Sequence, residues 1–365
     1  MIQYLTTHPW KIVEEGFKPQ HHRSSESIFS IGNGRFGQRA NHEETYTGPT
    51  LQGSYVAGID YPDKTRVGWW KNGYPEYFAK VLNSINWIGI RVWIDGEELD
   101  LAVCSTSNFH RELDMQKGLL IRSFDVTTIS GKQARIESIR FCSMADDETA
   151  VIRYSVTPLN FDGVIRFTPY LDGDVHNHDS NYDEKFWEAV SSDTTPGGGS
   201  VVCRTKKTAF EVAASMQLDV LLDSASQSVS YAEFSRDFYS ENNIEIEVKA
   251  NQTAQLMKYV GLVSSLNYSS AELKSAAERA ALRARTIGFD AMMEAQVEAW
   301  SNIWEMADIQ IHGDDEAQQA IRFNIFHLNQ TYTGEDSRLN IGPKGFTGEK
   351  YGGSTYWDTE AYCIP

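Results

Sequence analysis

The chain has 365 residues, of which 41% are hydrophobic and 23% charged, an ordinary composition for a folded protein of one large domain or two. Its formal net charge of −17 disfavours binding to nucleic acids or to anionic membranes, because both need clustered Lys and Arg. No apolar run approaches the ~18 residues of a spanning helix. Residues Met1–Glu15 lack the apolar core of a secretion signal.

The four cysteines are widely separated along the chain. Cys104, Cys142, Cys203 and Cys363 include no CxxC pair, so the sequence predicts neither a zinc knuckle nor a local disulfide framework. Reduced thiols in a cytoplasmic protein are the simplest interpretation. Nine Trp and seventeen Tyr also stand out. So many aromatic side chains fit either a packed core or a platform for the C–H face of a sugar, and composition does not decide between the two.

Residues 28–265 show the pattern of a large antiparallel β domain. Short runs alternate apolar and polar residues and are rich in β-branched and aromatic side chains, which is typical of half-buried strands. Turn-forming pairs such as Ser130-Gly131 separate the runs, and no helical pattern intervenes. The sequence therefore predicts a sandwich or barrel and not an alternating α/β fold. The clearest runs are Ile88–Ile94, Leu119–Val126, Gln133–Phe141 and Thr149–Val156.

The periodicity becomes helical near residue 270. Ala271–Arg285 is rich in good helix formers, and a second helical run covers Asp290–Met306. The second run carries an apolar stripe at spacings of three or four residues, which is typical of a face packed on a core. The stripe consists of Met293, Val297, Trp300 and Trp304. The predicted organisation is a β domain over 1–268, a helical linker over 269–308 and a further segment over 309–365.

The segment 309–365 begins with a third predicted helix. A cap at Asp314 or Asp315 starts it, and it extends through Thr331. Its apolar face consists of Ile321, Ile325 and Leu328. The remainder, Leu339–Pro365, is rich in glycine and aromatic residues and is predicted to be a loop. Its lysines do not follow the GxxxxGK[ST] spacing of a nucleotide phosphate loop, so we exclude that function.

Within this loop, Trp357 and Asp358 form a candidate sugar-binding pair. An indole ring stacks on a sugar face, and a carboxylate accepts hydrogen bonds from hydroxyl groups, each worth about 1.5–3 kcal/mol. A structural role is the alternative, because Asp358 also fits the N-cap of a helix that starts at Thr359. The pair alone does not decide between the two. Glu360 is a further acidic residue next to the pair.

Glu43 and Glu44 are a second carboxylate pair. Acid–base chemistry on a glycosidic bond needs carboxyl groups that converge on the substrate. We expect this pair to follow a strand of the β domain, where adjacent side chains point to opposite faces. The sequence therefore predicts that the two carboxylates do not converge and have no catalytic role.

Several longer strings carry a family resemblance. They are ESIFSIGNGRFGQRANHEE (26–44), GFDAMMEAQVEAW (288–300), RFNIFHL (322–328) and LNIGPKGFTGEKYGGSTYWDTEAYCIP (339–365). Together they resemble glycoside hydrolase family 65, the inverting phosphorylases of α-linked disaccharides, over nearly the whole chain. The string YGGSTYWDTEAY is more similar to the maltose phosphorylases than to the trehalose or kojibiose members. Those members more often have a Gly-His pair where this chain has Gly353-Ser354.

The resemblance implies a fold and an activity. The fold is a mainly β super-sandwich, a helical linker and the start of an (α/α)6 catalytic barrel, to which residues 309–365 would belong. The activity is phosphorolysis of maltose to β-glucose 1-phosphate and glucose, with inversion. Trp357 and Asp358 would bind the glucosyl unit, and the general acid is expected to be a glutamate beyond Pro365. Inorganic phosphate is then a co-substrate, and no metal or organic cofactor is implied.

We also expect the barrel to be truncated. Twelve helices of ~11–12 residues need well over ~130 residues, whereas about fifty follow Asp314. This portion alone is therefore expected to be inactive, and the resemblance implies a homodimer. Three alternatives stay open: a trehalose or kojibiose phosphorylase, a hydrolase of the same family with a water-activating base, and a non-catalytic carbohydrate-binding or dimerisation module.

Overall fold

The computed structural model describes residues 4–64, 76–179, 184–342, 344–349 and 353. Within these ranges most regular structure is β. The described strands are β1 (Leu5–His8), β2 (Lys11–Glu15), β3 (Ile31–Gly32), β4 (Phe36–Gln38), β5 (Ser54–Val56), β6 (Asp60–Lys64), β7 (Tyr77–Val81), β8 (Ile90–Ile94), β9 (Glu97–Glu98), β10 (Ser105–Asp114), β11 (Leu119–Thr127), β12 (Gln133–Cys142), β13 (Thr149–Pro158), β14 (Gly163–Asp172), β15 (Trp187–Thr195), β16 (Gly198–Thr205), β17 (Glu211–Leu222), β18 (Ala225–Ser226), β19 (Ala232–Arg236), β20 (Tyr239–Val248) and β21 (Ala254–Ser264). The described helices are α1 (Pro19–Ile28), α2 (Ser270–Ile287), α3 (Phe289–Ala307) and α4 (Asp315–Thr331).

Two antiparallel sheets form the body of the β domain. The larger has the order β1-β2-β10-β11-β12-β13-β21-β17-β16-β15, with β18 paired to β17. The smaller has the order β19-β20-β14-β8-β9, and its inward side chains share one hydrophobic core with those of the larger sheet. Two short sheets, β3-β4-β5 and β6-β7, lie outside this sandwich. The prediction of a mainly β sandwich is confirmed.

The alternating runs became strands because one face of each could be buried. Along β12 exposed and buried residues alternate from Gln133 to Ile139, and Ile136 pairs with Val156 of β13. Burial of apolar side chains such as these stabilises the fold by roughly 25 cal/mol per Å² of apolar surface. The bounds differ from the predicted runs by one or two residues: β8 begins at Ile90 and not at Ile88, and β11, β12 and β13 extend slightly beyond the predicted ends.

Helix α2 packs unusually closely on the larger sheet. A Cβ on Gly261 of β21 would lie 2.6 Å from the backbone nitrogen of Ala281, so only glycine fits at this position. The buried face of α2 is made mostly of alanines. Small side chains on both sides let the helix axis approach the sheet, and α2 is therefore held firmly on β17 and β21.

Two helices differ from the sequence predictions in instructive ways. Helix α1 was not predicted, because its buried residues are the polar His22, Ser25 and Glu26 and give no apolar stripe. Helix α3 was predicted, and Trp300 and Trp304 are buried as expected. Its most buried line is rotated by one residue from the predicted stripe, because the Gln296 amide fills a buried gap between two backbone groups, Met144 N–H and Gly118 C=O.

Helix α4 contacts the β domain through a mostly polar face and not through its predicted apolar face. The buried residues are Gln318, Arg322, Phe326 and Gln330, whereas Leu328 of the predicted apolar face is 42% exposed. The reason is that α4 lies against backbone carbonyl groups of the β1–β2 hairpin, which need donors. Gln319 and Arg322 provide them, the latter to Pro9 at 3.2 Å.

The predicted cap of α4 is confirmed, since the Asp314 carboxylate accepts from Ala317 N–H at 2.9 Å. None of the helices that the structure describes combines the length and apolar character needed to cross a lipid bilayer. Cys104, Cys142 and Cys203 are free thiols, and Cys363 lies outside the described residues.

Candidate substrate-binding site

The predicted sugar-binding residues Trp357 and Asp358, together with Glu360, lie outside the described residues. The structure describes the segment that precedes them, residues 332–342, 344–349 and 353, which we call the entry segment. It follows α4 directly and contacts the short sheet β3-β4-β5. The described part of the site is therefore the base of the predicted sugar-binding loop.

The entry segment is first fixed by an ion-pair cluster at Asp336. Its carboxylate binds Arg35, which also donates to Asp147 at 2.6 Å, and it accepts from Arg338 at 2.6 and 2.8 Å. The hydrogen bonds from Arg338, with the further bond from Arg35, hold the pKa of Asp336 well below its usual range. The carboxylate is thus ionised at neutral pH and joins the entry segment to the loop that follows β3.

Phe346 then inserts into a groove that two glycines leave open. A Cβ on Gly32 would lie 2.5 Å from the Phe346 ring, and a Cβ on Gly37 would lie closer still. The ring is only 5% exposed. Because a side chain at either position would occupy the space of the ring, the first and last glycines of the string GNGRFG are explained by this close approach.

Two polar contacts hold the next residues. The carbonyl of Thr347 accepts hydrogen bonds from Ser27 Oγ at 2.8 Å and from the guanidinium of Arg39. The carboxylate of Glu349, itself 3% exposed, accepts from the backbone N–H groups of residues 178 and 179 at 3.0 and 2.7 Å. Hydrogen bonds to a charged group are worth about 1.5–3 kcal/mol each. Residues 346–349 are therefore attached to the β domain at three points.

Asp60 lies below the last described residue of the loop. A Cβ on Gly353 would lie 2.6 Å from Oδ1 of Asp60, so only glycine fits at position 353. Among the described residues, no donor or cation binds this carboxylate. Removal from water raises the pKa of Asp60 to about 6. The carboxylate borders a cavity of about 40 Å³. The cavity is lined also by Val56, Ala57, Gly58, Val81, Thr331, Asn340, Gly342, Gly345, Phe346 and Gly353.

The prediction that Glu43 and Glu44 do not converge was wrong. Both bind Arg122, with Nη2 at 2.5 Å from Glu43 and 2.6 Å from Glu44. Residues 41–44 are not in a strand, so the alternation of strand side chains does not apply. Burial would raise the pKa of Glu43, but the charges of Arg140 and Arg122 lower it. Both carboxylates are buried in ion pairs with Arg122, and Glu43 also binds Arg140, whereas the absence of a catalytic role stays a prediction.

Several residues of the base were not predicted. Arg39, Phe346, Glu349 and Asp60 carry no local pattern, although the glycines near residue 35 indicated a close approach of backbone to some partner. In the ranges that the structure describes, no group of three or more His, Cys, Asp or Glu side chains is arranged to hold a metal ion.

Comparison with known families gives two matches. Residues 12–303 match the N-terminal domain of glycosyl hydrolase family 65, and residues 322–365 match the central catalytic domain of the same family. The second match includes the entry segment and the predicted sugar-binding pair. The first matched region ends within α3, and the second begins within α4.

Individual relatives agree with the family match. A maltose phosphorylase of Bacillus subtilis is 43% identical over 356 residues, which are 98% of this chain and 46% of the relative. An alpha,alpha-trehalose phosphorylase of Thermoanaerobacter brockii is 30% identical, covering 98% of this chain and 47% of the relative. A solved structure assigned as a kojibiose phosphorylase from the human microbiome superposes with a TM-score of 0.89 at 29% identity, covering 100% of this chain and 47% of that chain.

The chain thus spans about half the length of the relatives that it matches. Most of the sandwich, helix α2 and the glycine-rich entry segment fall within the matched regions. The chain belongs to glycosyl hydrolase family 65.

Proposed function

We propose that this chain serves an enzyme that cleaves maltose with inorganic phosphate, giving β-glucose 1-phosphate and glucose with inversion at the anomeric carbon. The observation that carries the proposal is the 43% identity to a maltose phosphorylase, against 30% to a trehalose phosphorylase over a similar length. The YGGSTYWDTEAY string supports the same substrate.

The reaction balances without a second carboxyl group. An oxygen of phosphate attacks C1 of the glucosyl unit from the face opposite the leaving oxygen, and the C1–O bond breaks. A general acid gives its proton to the leaving oxygen. Inverting hydrolases need a base in addition, because water must be activated. Phosphate is already a nucleophile, so the protein's task is to orient it and the sugar and to exclude water.

Trp357 and Asp358 are proposed to bind the glucosyl unit, the indole against the ring face and the carboxylate on hydroxyl groups. A glutamate elsewhere in the catalytic domain would be the general acid. The anchored base described above supports this assignment, because a loop that binds a sugar must be held within a fraction of an ångström to be effective. Phe346 and Glu349 hold the described start of that loop on the β domain.

The proposal includes a division of the chain. Residues 1–268 would be the sandwich domain, 269–308 the helical linker and 309–365 the beginning of an (α/α)6 catalytic barrel. The exposed Leu328 of α4 would then pack against further barrel helices. We also propose, from the family resemblance, a homodimer that works in the cytoplasm. Light scattering of the complete enzyme tests the dimer.

The test is a substrate panel on the complete enzyme, in which this chain is followed by the rest of the catalytic domain. Maltose, trehalose and kojibiose are each incubated with and without phosphate, and the anomer of glucose 1-phosphate is read by NMR. We expect rapid consumption of maltose only when phosphate is present, with the β anomer formed. Equal glucose release without phosphate would make the enzyme a hydrolase. Faster turnover of kojibiose or trehalose would overturn the choice of maltose.

Variants of the predicted pair test the site. Trp357→Ala and Asp358→Asn should each raise the KM for maltose by at least about tenfold, since each removes a contact to the glucosyl unit worth about 1.5 kcal/mol or more. Asp237→Asn, an exposed acid in the turn between β19 and β20, is the matched control and should change neither constant. Unchanged KM values in both site variants would remove these residues from the sugar site.

A further inference from the structure

Arg39 lies where three parts of the molecule meet. It follows β4, is 2% exposed and uses all five of its N–H groups. Three of its acceptors are backbone carbonyl oxygens from different segments. The planar guanidinium can bind all three only when those segments keep their relative positions. The acceptors are Leu51 O at 2.8 Å, Arg23 O at 2.9 Å, Glu26 Oε2 at 3.4 Å, Ser27 Oγ at 2.6 Å and Thr347 O.

The charge of Arg39 is balanced within the β domain. Glu26 is fully buried, and its carboxylate also lies 3.0 Å from His22 Nε2 and accepts from Leu51 N–H at 2.8 Å. Burial would raise the pKa of Glu26, but His22 and the hydrogen bonds from Thr50 and Leu51 lower it to about 2. Glu26 therefore stays ionised and balances the charge of Arg39. The hydrogen bond from Arg39 to the carbonyl of Thr347 is not part of this charge balance, and its effect is to fix the position of Thr347.

The contact to Thr347 is one of three in four consecutive residues. Phe346 fills the groove over Gly32 and Gly37, and Glu349 binds the N–H groups of residues 178 and 179. The three contacts come from different parts of the β domain, namely β3 and β4, Arg39 after β4, and the segment around residue 178. A short segment held in this way cannot shift or rotate without breaking at least one buried hydrogen bond, which costs about 1–3 kcal/mol.

We propose that Arg39 and Glu349 are positioning residues for the sugar-binding loop, through which the β domain sets how the disaccharide is held. The proposal rests on the proposed function, in which Trp357 and Asp358, eight and nine residues after Glu349, bind the glucosyl unit. Neither positioning residue touches substrate. Their effect is exerted through the backbone of the entry segment, and it concerns the disaccharide and not phosphate.

The first experiment measures steady-state kinetics of the complete enzyme with Arg39→Lys and Glu349→Gln. Lysine keeps the charge but not the planar fork, so it cannot reach the three carbonyl groups together. We expect the KM for the disaccharide to rise by about tenfold or more, since a displacement of about 1 Å in the groups that position a substrate can lower enzyme activity by up to ~100-fold. The KM for phosphate should stay within about twofold. Arg279→Lys on the exposed face of α2 is the matched control and should change nothing.

A loss of kcat with both KM values unchanged would mean that the variants only lower the amount of folded enzyme, and would overturn the proposal. An equal rise of both KM values would also overturn it. Ser27→Ala removes one donor from Thr347 O and one acceptor from Arg39, and it leaves every charged side chain in place. It keeps the test open if the Arg39 variant does not fold, and it should raise the KM for the disaccharide alone by a smaller factor.

The second experiment does not depend on activity. The 365-residue chain is treated with trypsin under native conditions, and the rate of cleavage after Lys344 is followed by mass spectrometry. Arg39→Lys and Glu349→Gln should each speed this cleavage by about tenfold, because a released segment opens more often. An unchanged rate would overturn the proposal. If the complete enzyme shows no phosphorolysis, the proposed function fails, and the trypsin rates still decide whether these residues hold the loop.

Discussion

Asp60 is predicted to destabilise the folded chain at neutral pH. Burial raises its pKa from an ordinary value of 3.8 to about 6, and none of the described residues provides a compensating donor or cation. A shift of about two units, at 1.36 kcal/mol each, corresponds to about 3 kcal/mol. Because the folded state favours the protonated acid, this cost is absent below the unfolded pKa and complete above the folded pKa. It therefore develops between pH 4 and about 6.

Replacing Asp60 with Asn removes the charge and keeps the shape. We expect Asp60→Asn to raise the free energy of unfolding by about 3 kcal/mol at pH 8, and by less than about 1 kcal/mol at pH 4. Urea unfolding at these two pH values, on either side of the isoelectric point of about 5.0, measures the difference. Asp237→Asn is the control at an exposed acid and should have little effect at either pH.

A gain of the same size at both pH values would show that packing, and not ionisation, separates the two side chains. No gain at pH 8 would show that the carboxylate of Asp60 is solvated or paired in solution. Either result refutes the reasoning. The expected result would mark Asp60 as an acid kept under the sugar-binding loop at a cost to stability, which is common at functional sites.

Three further predictions concern the rest of the molecule. Arg122→Met removes the buried cation that Glu43 and Glu44 share, although Glu43 keeps Arg140, and it should lower the free energy of unfolding in urea by about 3–5 kcal/mol. Arg135→Gln, which breaks an exposed pair on the neighbouring strand, should lower it by under about 1 kcal/mol. Equal losses in the two variants would contradict this. Gly37→Ala should lower the free energy of unfolding by about 1–3 kcal/mol when Phe346 is present. It should lower it by much less in a Phe346→Ala background, because the added Cβ and the ring would occupy the same space. If the losses of the two single variants simply add in the double variant, Gly37 does not make room for the ring. Burial raises the pKa of the Cys142 thiol, so native-state labelling with iodoacetamide at pH 8 should leave it unmodified until urea is added; rapid native labelling would show that β12 opens.

The strands could be predicted because their pattern is local. In β11 and β12 the alternation of side chains extends over nine or ten consecutive residues, and burial of one face is enough to select the strand. Helix α1 could not be predicted in this way, since polar groups line its buried side. What stabilises it is Glu26, whose partners Asn41 and Leu51 lie 15 and 25 residues further along the chain.

The same limit applies to the site. The Trp357-Asp358 pair was recognisable as a string, but nothing near it in the sequence points to Arg39 or to the Gly32 and Gly37 groove. The convergence of Glu43 and Glu44 on Arg122 was also missed, since it depends on a stretch of irregular backbone and on a strand that comes 78 residues later. Long-range polar contacts leave no periodic signal, and they make up most of the base of the site.

The groove that receives Phe346 has a consequence for how the protein is made. Arg39 and its partner Thr347 are 308 residues apart, which is about 15–60 s of synthesis at ~5–20 residues per second. The groove walls in β3 and β4 therefore leave the ribosome long before the ring that fills them. The β domain is therefore synthesised with an apolar slot open beside it, and the entry segment can take its shape only after that domain has been made. Any chaperone or neighbouring chain that occupies that slot early would delay the maturation of the site and leave the sandwich intact.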